Sequence, residues 1–344
     1  MKMSTIPKIK KKKNKIIAEV PIAGYFILDG LGAVRNKFTR NFGFMLDGLL
    51  RRVDVTVYDE GGTGRTLKTS SGGLLWGATT ANEIGNAMFF HFGAGTTSPV
   101  VTDNNLASPL EFTPTNYIDV IEDDTETQLL IGAKWSPDTE RAYSEVGLKL
   151  FTDVYNNYVT LLTRSLIGPP LLSRSAYTNY FDAYVVSFPA SITKWFVRAM
   201  LCSMAGQRRR PTRCLSAIAT DGSMFSIRSG DTFAGSPDIQ IGSDNTTPSP
   251  SQYKLVSPIG SLTSQSQLVE VDTTANEVRF LRCGLITPTT DLTIGEVGLF
   301  ATLHGFAAGT AVTRTIMVGR VAFPVPQTLF AGNTYSICYM FRLT

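Results

Sequence analysis

Apolar and polar residues alternate over most of the chain, in short stretches that end at glycine, proline, asparagine or aspartate. A period of two residues is typical of half-buried β-strands, and the residues that separate the stretches favour turns. Clear examples are residues 53–58, 158–162, 184–188, 315–318 and 335–341. The pattern predicts a mainly β protein built from β-sandwich or jelly-roll-like domains.

Two stretches instead carry apolar residues at helical spacing, which predicts one amphipathic helix in each. The first places these residues on one face: Phe38, Phe42, Met45, Leu46 and Leu49. The second does the same with Ile192, Trp195, Phe196, Ala199 and Met200. Ser191 is the predicted N-cap of the second helix, because its hydroxyl can accept a hydrogen bond from a backbone N–H of the first turn.

The chain contains an internal repeat. Residues 92–99 resemble residues 241–248, and residues 145–148 (Glu-Val-Gly-Leu) recur at 296–299. Further landmarks keep the same order at an offset of about 150 residues, as expected for one duplicated unit with small loop insertions. We therefore predict a basic N-terminal arm (1–23), a first β-rich repeat (24–188) and a second (189–344), each repeat with one helix near its start.

Composition suggests assembly with other subunits. The chain has 344 residues, enough for two domains, and 43% of them are hydrophobic. Only 17% are charged, compared with about 25% in a typical soluble domain. We expect part of the surface to be buried against other subunits. No stretch has the pattern of an export signal or a membrane-spanning helix, so a soluble protein or a soluble assembly is expected.

Positive charge is concentrated in the first 15 residues, which contain seven lysines and no acid, whereas the whole chain has a formal net charge of +4. Such a segment cannot bury enough apolar surface to fold alone, so we expect it to lack structure in the isolated subunit. It could bind nucleic acid, bind an acidic partner surface, or act as a solubilising tail. The candidate contact residues are Lys8, Lys10, Lys11, Lys12, Lys13 and Lys15.

Candidate catalytic chemistry is sparse. The chain has two histidines, His91 and His304, and no GxSxG, GxGxxG or P-loop motif. We therefore predict no enzymatic activity, no cofactor and no metal site. The cysteines form no CxxC pair, which indicates reduced thiols in a protein made in the cytoplasm. They are Cys202, Cys214, Cys283 and Cys338.

The repeated Glu-Val-Gly-Leu motif is the most specific candidate site. Glycine within a strand usually marks a bulge or a close approach of backbone, here at Gly147 and Gly298. The preceding Glu145 and Glu296 could each satisfy a buried arginine, and the natural partners are Arg164 and Arg320 on the next predicted strand. We predict a structural brace in each repeat; the alternative is a carboxylate that binds a ligand.

Three other segments have alternative interpretations. The Gly-Thr-Thr-Pro-like loops are predicted to be wide turns, because no lysine follows them to complete a phosphate site. The acidic segment 122–126 is predicted to be a solvated turn and not a cation site. Residues 208–213 contain four arginines that could bind phosphate or an acidic neighbour, or lie in a solvated loop.

The order of several motif residues along the chain resembles that of a known class of proteins. Gly-x-Gly-Thr-Thr-x-Pro is followed by an aspartate and a leucine, then Glu-Val-Gly-Leu, then an arginine before a proline-bearing strand. These landmarks are Gly93, Gly95, Thr96, Thr97, Pro99, Asp103, Leu106, Glu145, Gly147, Leu148, Arg164 and Pro170. The pattern is similar to structural proteins of tailed bacteriophages, which implies a virion building block without catalytic residues. The second repeat departs from it, with Asp244 at the second glycine and Gln252 at the aspartate.

The sequence thus predicts a non-enzymatic virion structural protein that multimerises in a phage tail, collar or baseplate type of assembly. Its expected partners are copies of itself and other virion proteins, with possible nucleic-acid contact through the arm, and its expected location is a virion assembled in the host cytoplasm. One alternative is a capsid-shell protein with two jelly rolls and a genome-facing arm. Another is a glycan-binding adhesin that uses Tyr177, Tyr180 and Tyr184 as surface aromatics.

Overall fold

The computed structural model describes residues 8–12, 14–69, 88–153, 158–205, 215–228 and 232–344. Within these residues the chain forms 24 strands and two helices, which confirms the predicted mainly β class. The first half contains β1 (Lys8–Lys12), β2 (Lys15–Leu28), β3 (Gly32–Arg35), β4 (Lys37–Phe38), α1 (Arg40–Arg51), β5 (Val55–Tyr58), β6 (Gly64–Leu67), β7 (Met88–Gly93), β8 (Pro109–Pro114), β9 (Tyr117–Glu122), β10 (Glu126–Trp135), β11 (Arg141–Tyr143), β12 (Glu145–Asp153), β13 (Tyr158–Leu166), β14 (Leu172–Arg174) and β15 (Tyr180–Pro189).

The second half follows the order of the first from its helix onward, with a helix, a hairpin and then the strands of two sheets. It contains α2 (Lys194–Ala205), β16 (Ser216–Ile218), β17 (Met224–Ile227), β18 (Asp238–Gly242), β19 (Pro258–Ser261), β20 (Thr263–Asp272), β21 (Glu277–Ile286), β22 (Leu292–Ala307), β23 (Thr310–Leu329) and β24 (Tyr335–Leu343).

One large sheet runs through both halves in the order β20-β21-β24-β2-β15-β10-β9, and β1 and β3 also pair with β2. The first half adds a sheet β4-β13-β12-β7-β8, and the second adds β16-β17-β22-β18-β19 with β23 paired to β22. The order is therefore symmetric about β2, with β15, β10 and β9 on one side and β24, β21 and β20 on the other. A duplicated unit would produce this symmetry; the common origin of the halves stays a prediction.

The central strand β2 belongs to both halves. Its residues 15–22 pair in parallel with β24, and its residues 23–27 pair antiparallel with β15. Ile16, Ala18 and Val20 are completely buried. Residues 15–23, which the sequence grouped with the basic arm, thus lie in the middle of the large sheet.

Part of the arm before β2 is also ordered, contrary to expectation. β1 pairs antiparallel with β2, with Lys8 opposite Glu19 and Lys12 opposite Lys15. The backbone of β2 offers hydrogen-bonding groups on the side away from β24, and pairing with them offsets the low apolar content of the arm. Residues 1–7 and Lys13 lie outside the described residues.

The sheets pack face to face as sandwich layers. In the first half, the Phe26 ring of the large sheet lies 5.8 Å from the Phe90 ring of β7, edge to face. In the second half, a Cβ added at Gly319 of β23 would lie 2.3 Å from the hydroxyl oxygen of Tyr339 on β24. Glycine at this position therefore lets the two layers approach closely.

Both helices bury the predicted apolar faces, although Phe38 lies before the start of α1, in β4, and Ile192 lies before the start of α2. Each helix contacts the other half of the large sheet. A Cβ at Gly43 of α1 would lie 2.5 Å from a side-chain carbon of Val278 on β21, whereas Arg198 of α2 forms an ion pair with Glu122 on β9. Each helix therefore links its own half of the chain to the other half.

The predicted N-cap of α2 is wrong by two residues. Thr193 holds that position, and its Oγ1 accepts a hydrogen bond from the backbone N–H of Phe196 at 3.3 Å. The carbonyl of Ser191 instead accepts a bond from the backbone N–H of Arg320, at 2.7 Å. Ser191 thus bonds through its carbonyl to the neighbouring strand β23 and does not cap the helix.

The expectation of reduced thiols is also wrong. Cys283 and Cys338 form a disulfide between β21 and β24, on which they are register partners. Their separation of 55 residues carries no signature that a search for CxxC could detect. Cys202 is buried in α2 without a disulfide, and Cys214 lies outside the described residues.

Candidate functional site

Glu145 is the centre of the first cluster, here called cluster one (Glu145, Arg164, Asp103 and Thr97). Its carboxylate is completely buried beneath the loop that joins β7 to β8. Oε1 accepts hydrogen bonds from the backbone N–H groups of Gly95 at 2.9 Å and Ser108 at 2.7 Å. Oε2 accepts one from Ala107 at 3.1 Å. Glu145 thus binds both ends of this loop.

Arg164 completes cluster one from the neighbouring strand β13. Its Nε donates to Glu145 Oε2 at 2.9 Å, and its Nη1 donates to Asp103 Oδ2 at 2.8 Å. Its Nη2 donates to the carbonyl of Thr97 at 2.9 Å. A planar guanidinium suits this role because its donors point in fixed directions. Sheet and loop are therefore joined by charge-assisted hydrogen bonds.

Cluster one keeps its central carboxylate ionised. Burial by itself would raise the pKa of Glu145, but hydrogen bonds from Ser108 and Ala107 and the guanidinium of Arg164 outweigh it and lower the pKa below its ordinary value. The ionised form is therefore favoured near neutral pH, where it stabilises the folded state.

The second half contains a counterpart, here called cluster two (Glu296, Arg320, Asp244 and Thr246). Glu296 on β22 is completely buried and accepts hydrogen bonds from the backbone N–H of Ser257 at 2.8 Å and from Arg320 Nε. Arg320 Nη1 donates to the carbonyl of Thr246 at 2.9 Å, and Nη2 contacts Asp244 Oδ2 at 2.5 Å. The two halves thus use the same kinds of bond: each arginine Nε binds the glutamate, and its two Nη atoms bind an aspartate and a threonine carbonyl, although the two Nη atoms exchange these partners between the clusters.

The second carboxylate comes from a different position in each cluster. Asp103 follows the threonine pair of its loop, whereas Asp244 precedes it, at the position that corresponds to Gly95. Gln252, which replaces the expected aspartate, lies with its Oε1 3.5 Å from Arg320 Nη1. The two departures in the second repeat therefore compensate each other, so that each arginine still contacts two carboxylates.

The motif glycines lie where a leucine of the covering loop approaches the sheet. A Cβ at Gly147 would lie 3.0 Å from Leu106 Cδ2, and one at Gly298 would lie 2.8 Å from Leu255 Cδ2. The ladders of both strands shift register one residue later. Both predicted causes for a glycine, a close approach and a bulge, are thus found at or beside these positions.

The sequence did not reveal the role of two further glycines. Gly93 and Gly242 are register partners of Glu145 and Glu296, and a Cβ on either would lie 2.6 or 2.2 Å from the carboxylate oxygen Oε1. Their recurrence at corresponding positions was the available signal.

Both clusters are closed, with oxygen atoms that accept bonds from the protein itself, so the geometry suits the attachment of loops to sheets. That they act as braces stays a prediction.

Lys149 forms a third polar cluster, which has no equivalent among the described residues of the second half. Its ammonium is completely buried and contacts Glu60 Oε1, Asn105 Oδ1 at 2.5 Å and His91 Nδ1 at 2.6 Å. The corresponding residue of the second half, Phe300, packs with Leu255 and Met317 in a small apolar cluster. Apolar packing therefore suffices in the second half where the first half buries a charge.

We expect this cluster to make stability depend on pH. Burial and then the Lys149 ammonium lower the pKa of His91 from 6.5 to about 4, so the unfolded chain binds this proton at higher pH than the folded one. The stability is complete above pH 6.5 and falls as the pH decreases towards 4, by about 1–3 kcal/mol. In the second half, the position equivalent to His91 is held by Gln240, which lies opposite Gly298. Replacing His91 by Gln should therefore reduce the loss of stability at low pH.

Urea denaturation of both proteins between pH 7 and pH 4 tests this expectation. The difference in unfolding free energy between parent and His91→Gln should change across this range, because only the parent has the titrating imidazole. Parallel pH profiles would contradict it.

Several described strands lie at the edge of a sheet, and four of them lack basic residues and carry exposed apolar side chains. β9 and β20 end the large sheet, and β8 and β19 each form one end of a smaller sheet, whose other ends are β4 and β16. No lysine or arginine occurs in these four strands, although such residues commonly protect edges from pairing. Their exposed apolar side chains are Leu110, Phe112, Tyr117, Ile121, Ile259 and Leu268. These four edges therefore lack the basic residues that commonly prevent another strand from adding.

Other candidate residues lie in less suggestive places. Tyr177 is 80% exposed, but Tyr184 is completely buried, so these residues do not form the shared aromatic surface expected of an adhesin. Asp123 Oδ1 accepts bonds from the backbone of Thr125 and Glu126, which closes the acidic turn on itself. The arginines at 208–213 lie outside the described residues.

The described ranges contain no group of three or more histidine, cysteine, aspartate or glutamate residues placed to hold a metal ion. Neither of their helices has the length and apolar content needed to cross a membrane.

Comparison with known proteins gives no family. The chain matches no protein-family model and no curated protein sequence. Among solved structures, a 2′-deoxycytidine 5′-triphosphate deaminase from Agrobacterium tumefaciens aligns at 9% identity over 75% of this chain and 88% of that chain, with a TM-score of 0.11. At that score the alignment supports neither a shared fold nor a shared activity.

Proposed function

We propose that the chain is a non-enzymatic virion structural protein that multimerises through its sheet edges, in a tail, collar or baseplate type of assembly. The observation that carries the proposal is that four edge strands, β8, β9, β19 and β20, have exposed apolar side chains and no lysine or arginine. A monomeric β protein usually protects such edges, because they pair readily with other chains. Edges without basic residues in both halves suit a protein whose edges are covered in an assembly.

Two features support a building block over an enzyme. The buried charged side chains of clusters one and two bond to the protein's own loops and strands, which leaves them no role with a substrate. The shared strand β2 and the crossed helices join the halves into one unit, which suits a component that transmits force. Its partners would be copies of itself and other virion proteins, and its location the virion.

A capsid-shell role is the second candidate, since two sandwich halves joined by one sheet could form a double-layered shell subunit. Electron microscopy of the purified full-length chain, over a range of protein concentrations, separates the two. Rings or short tubes of few subunits are expected for the tail, collar or baseplate role. Closed shells of many subunits would favour the capsid, and a monomer at every concentration would contradict both.

Labelling of intact particles tests the location. An antibody against the chain, carrying gold, should mark one end of phage particles that contain it. Label over the whole head would favour the shell role, and no label on particles in which the chain is made would contradict a virion location. A glycan array with the same protein tests the adhesin alternative.

A further inference from the structure

We propose that Lys149 and Asn105 form a covalent isopeptide bond within the folded chain. The bond joins strand β12 to the loop between β7 and β8, beside cluster one. It forms between Nζ of the lysine and Cγ of the asparagine, and it releases ammonia. Both residues belong to one chain, so the bond is independent of the proposed multimerisation.

The side-chain nitrogen of Lys149 lies close to the carbon that it would attack. Nζ is 2.5 Å from Asn105 Oδ1, and Cγ is bonded to Oδ1 at about 1.2 Å, so Nζ lies less than about 4 Å from Cγ. The backbone N–H of Leu106 donates to the same Oδ1 at 2.8 Å. This hydrogen bond polarises the carbonyl and stabilises the negative charge that develops on Oδ1 when an amine attacks Cγ. The amide of Asn105 is therefore held ready for a nucleophile.

Glu60 supplies the proton transfer that the reaction needs. Its Oε1 contacts the Lys149 ammonium directly, and a lysine must lose a proton before its nitrogen can attack. Transfer of that proton to the carboxylate converts a buried ion pair into two neutral groups, which a site of low dielectric constant favours. Burial also lowers the pKa of Lys149, although the hydrogen bond and the charge of Glu60 oppose this shift. Both effects favour the neutral amine, which is the nucleophilic form.

The surroundings of Lys149 are apolar and closed to water, since its side chain is completely buried. Its register partner is Phe89, whose ring centroid lies 5.6 Å from that of Phe112 and 5.0 Å from that of Phe151. His91 Nδ1 lies 2.6 Å from Nζ. Because burial and then Lys149 lower the pKa of His91 to about 4, the imidazole is neutral near pH 7 and adds no second cation. Exclusion of water protects the new amide from hydrolysis.

The reaction balances with the groups present. Lys149 transfers one proton to Glu60, and the neutral Nζ attacks Asn105 Cγ to give a tetrahedral intermediate. Glu60 passes the proton to Nδ2, the Cγ–Nδ2 bond breaks, and Nδ2 leaves as ammonia. The ammonia takes the extra proton that remains on Nζ and departs as ammonium, so the Glu60 carboxylate is regenerated. The Glu60 side chain is 37% exposed, which gives the ammonium a path to solvent.

The second half indicates that this position needs no charge for folding. The residue that corresponds to Lys149 is Phe300, which packs with Leu255 and Met317. Replacing a buried ion pair by apolar residues is often neutral or stabilising. A reaction that removes the charge of Lys149 accounts for a lysine at this place, because the amide product is neutral and also fastens the loop to the sheet.

The mass of the reduced and denatured full-length chain tests for the bond. The parent should be lighter than its sequence mass by about 17 Da, the mass of the ammonia lost. Trypsin should no longer cleave after Lys149, and it should release residues 69–134 joined to residues 142–164. Lys149→Met and Asn105→Ala should both have their full sequence mass.

Three further variants make the assignment specific. Asn105 can also lose ammonia by forming a succinimide with its own backbone, and that product would persist in Lys149→Met. Glu60→Gln keeps the shape of the side chain and removes the proton acceptor, so the bond should form about a hundredfold more slowly after cell-free synthesis. Asn104→Ala removes the neighbouring amide, which bonds to Arg40, and should leave the isopeptide bond intact.

The parent chain decides the result even if a variant fails to fold, because its mass and its joined peptides are measured without any variant. A parent with its full sequence mass would overturn the proposal. So would a loss of ammonia that persists in Lys149→Met, since it would mark a succinimide. Bond formation at the parent's rate in Glu60→Gln would overturn the role of Glu60 as the proton carrier.

Discussion

Deleting residues 1–22 should prevent both halves of the chain from reaching their native fold. The deletion removes the part of β2 that pairs with β24, and with it the buried side chains of Ile16, Val20 and Ile22. Burying three such side chains contributes about 5–8 kcal/mol, which is comparable to the whole stability of many domains. Circular dichroism and thermal melting should therefore show loss of cooperative unfolding.

Shorter deletions provide the matched controls. Deleting residues 1–7 leaves every described strand in place, so it should leave the melting temperature unchanged. Deleting residues 1–13 removes β1 but keeps β2, and should lower stability by less than about 1 kcal/mol while weakening assembly. A 1–22 deletion that melts like the parent would show that β2 is a dispensable arm.

Replacing Arg320 by Met should destabilise the folded chain by about 3–5 kcal/mol, because it leaves Glu296 buried without its charged partner. Glu296→Ala should have a smaller effect, about 1–3 kcal/mol, through the unpaired arginine that it leaves. The equivalent changes at Arg164 and Glu145 should follow the same order. Urea denaturation of each variant measures these free energies.

Two comparisons decide whether the clusters act as braces. Arg141→Met removes an exposed arginine whose Nε bonds to the exposed Thr139 and should change stability by less than about 0.5 kcal/mol. A double-mutant cycle of Glu296 and Arg320 should show strong coupling. Hydrogen exchange in the loop at 243–257 should rise in Arg320→Met. A loss no larger than that of Arg141→Met would contradict the brace.

Clusters one and two show which contacts the local sequence pattern predicts and which it does not. The sequence placed Glu145 and Arg164 on consecutive strands, and hairpin neighbours of this kind meet because the chain between them is short. It did not reveal Asp244 as the second carboxylate of cluster two, since that residue stands where the first repeat has Gly95. Only the folded loop shows that carboxylates from two different positions reach equivalent arginines.

Patterns of period two and 3.6 within the sequence determined several of the strands and the two buried helix faces, and the repeated Glu-Val-Gly-Leu motif determined the pairing of Glu145 with Arg164 and of Glu296 with Arg320, because each depends on residues close together in the chain. Tertiary structure alone decided that β2 is the shared central strand, that Cys283 bonds to Cys338, and that Thr193 caps α2. Ile16 lies beside Ile337, for example, although nearly the whole chain separates them. Periodicity predicts which face of a strand is buried. It does not predict which distant strand pairs with the edge of that strand, because strand pairing depends on the combined packing of both halves.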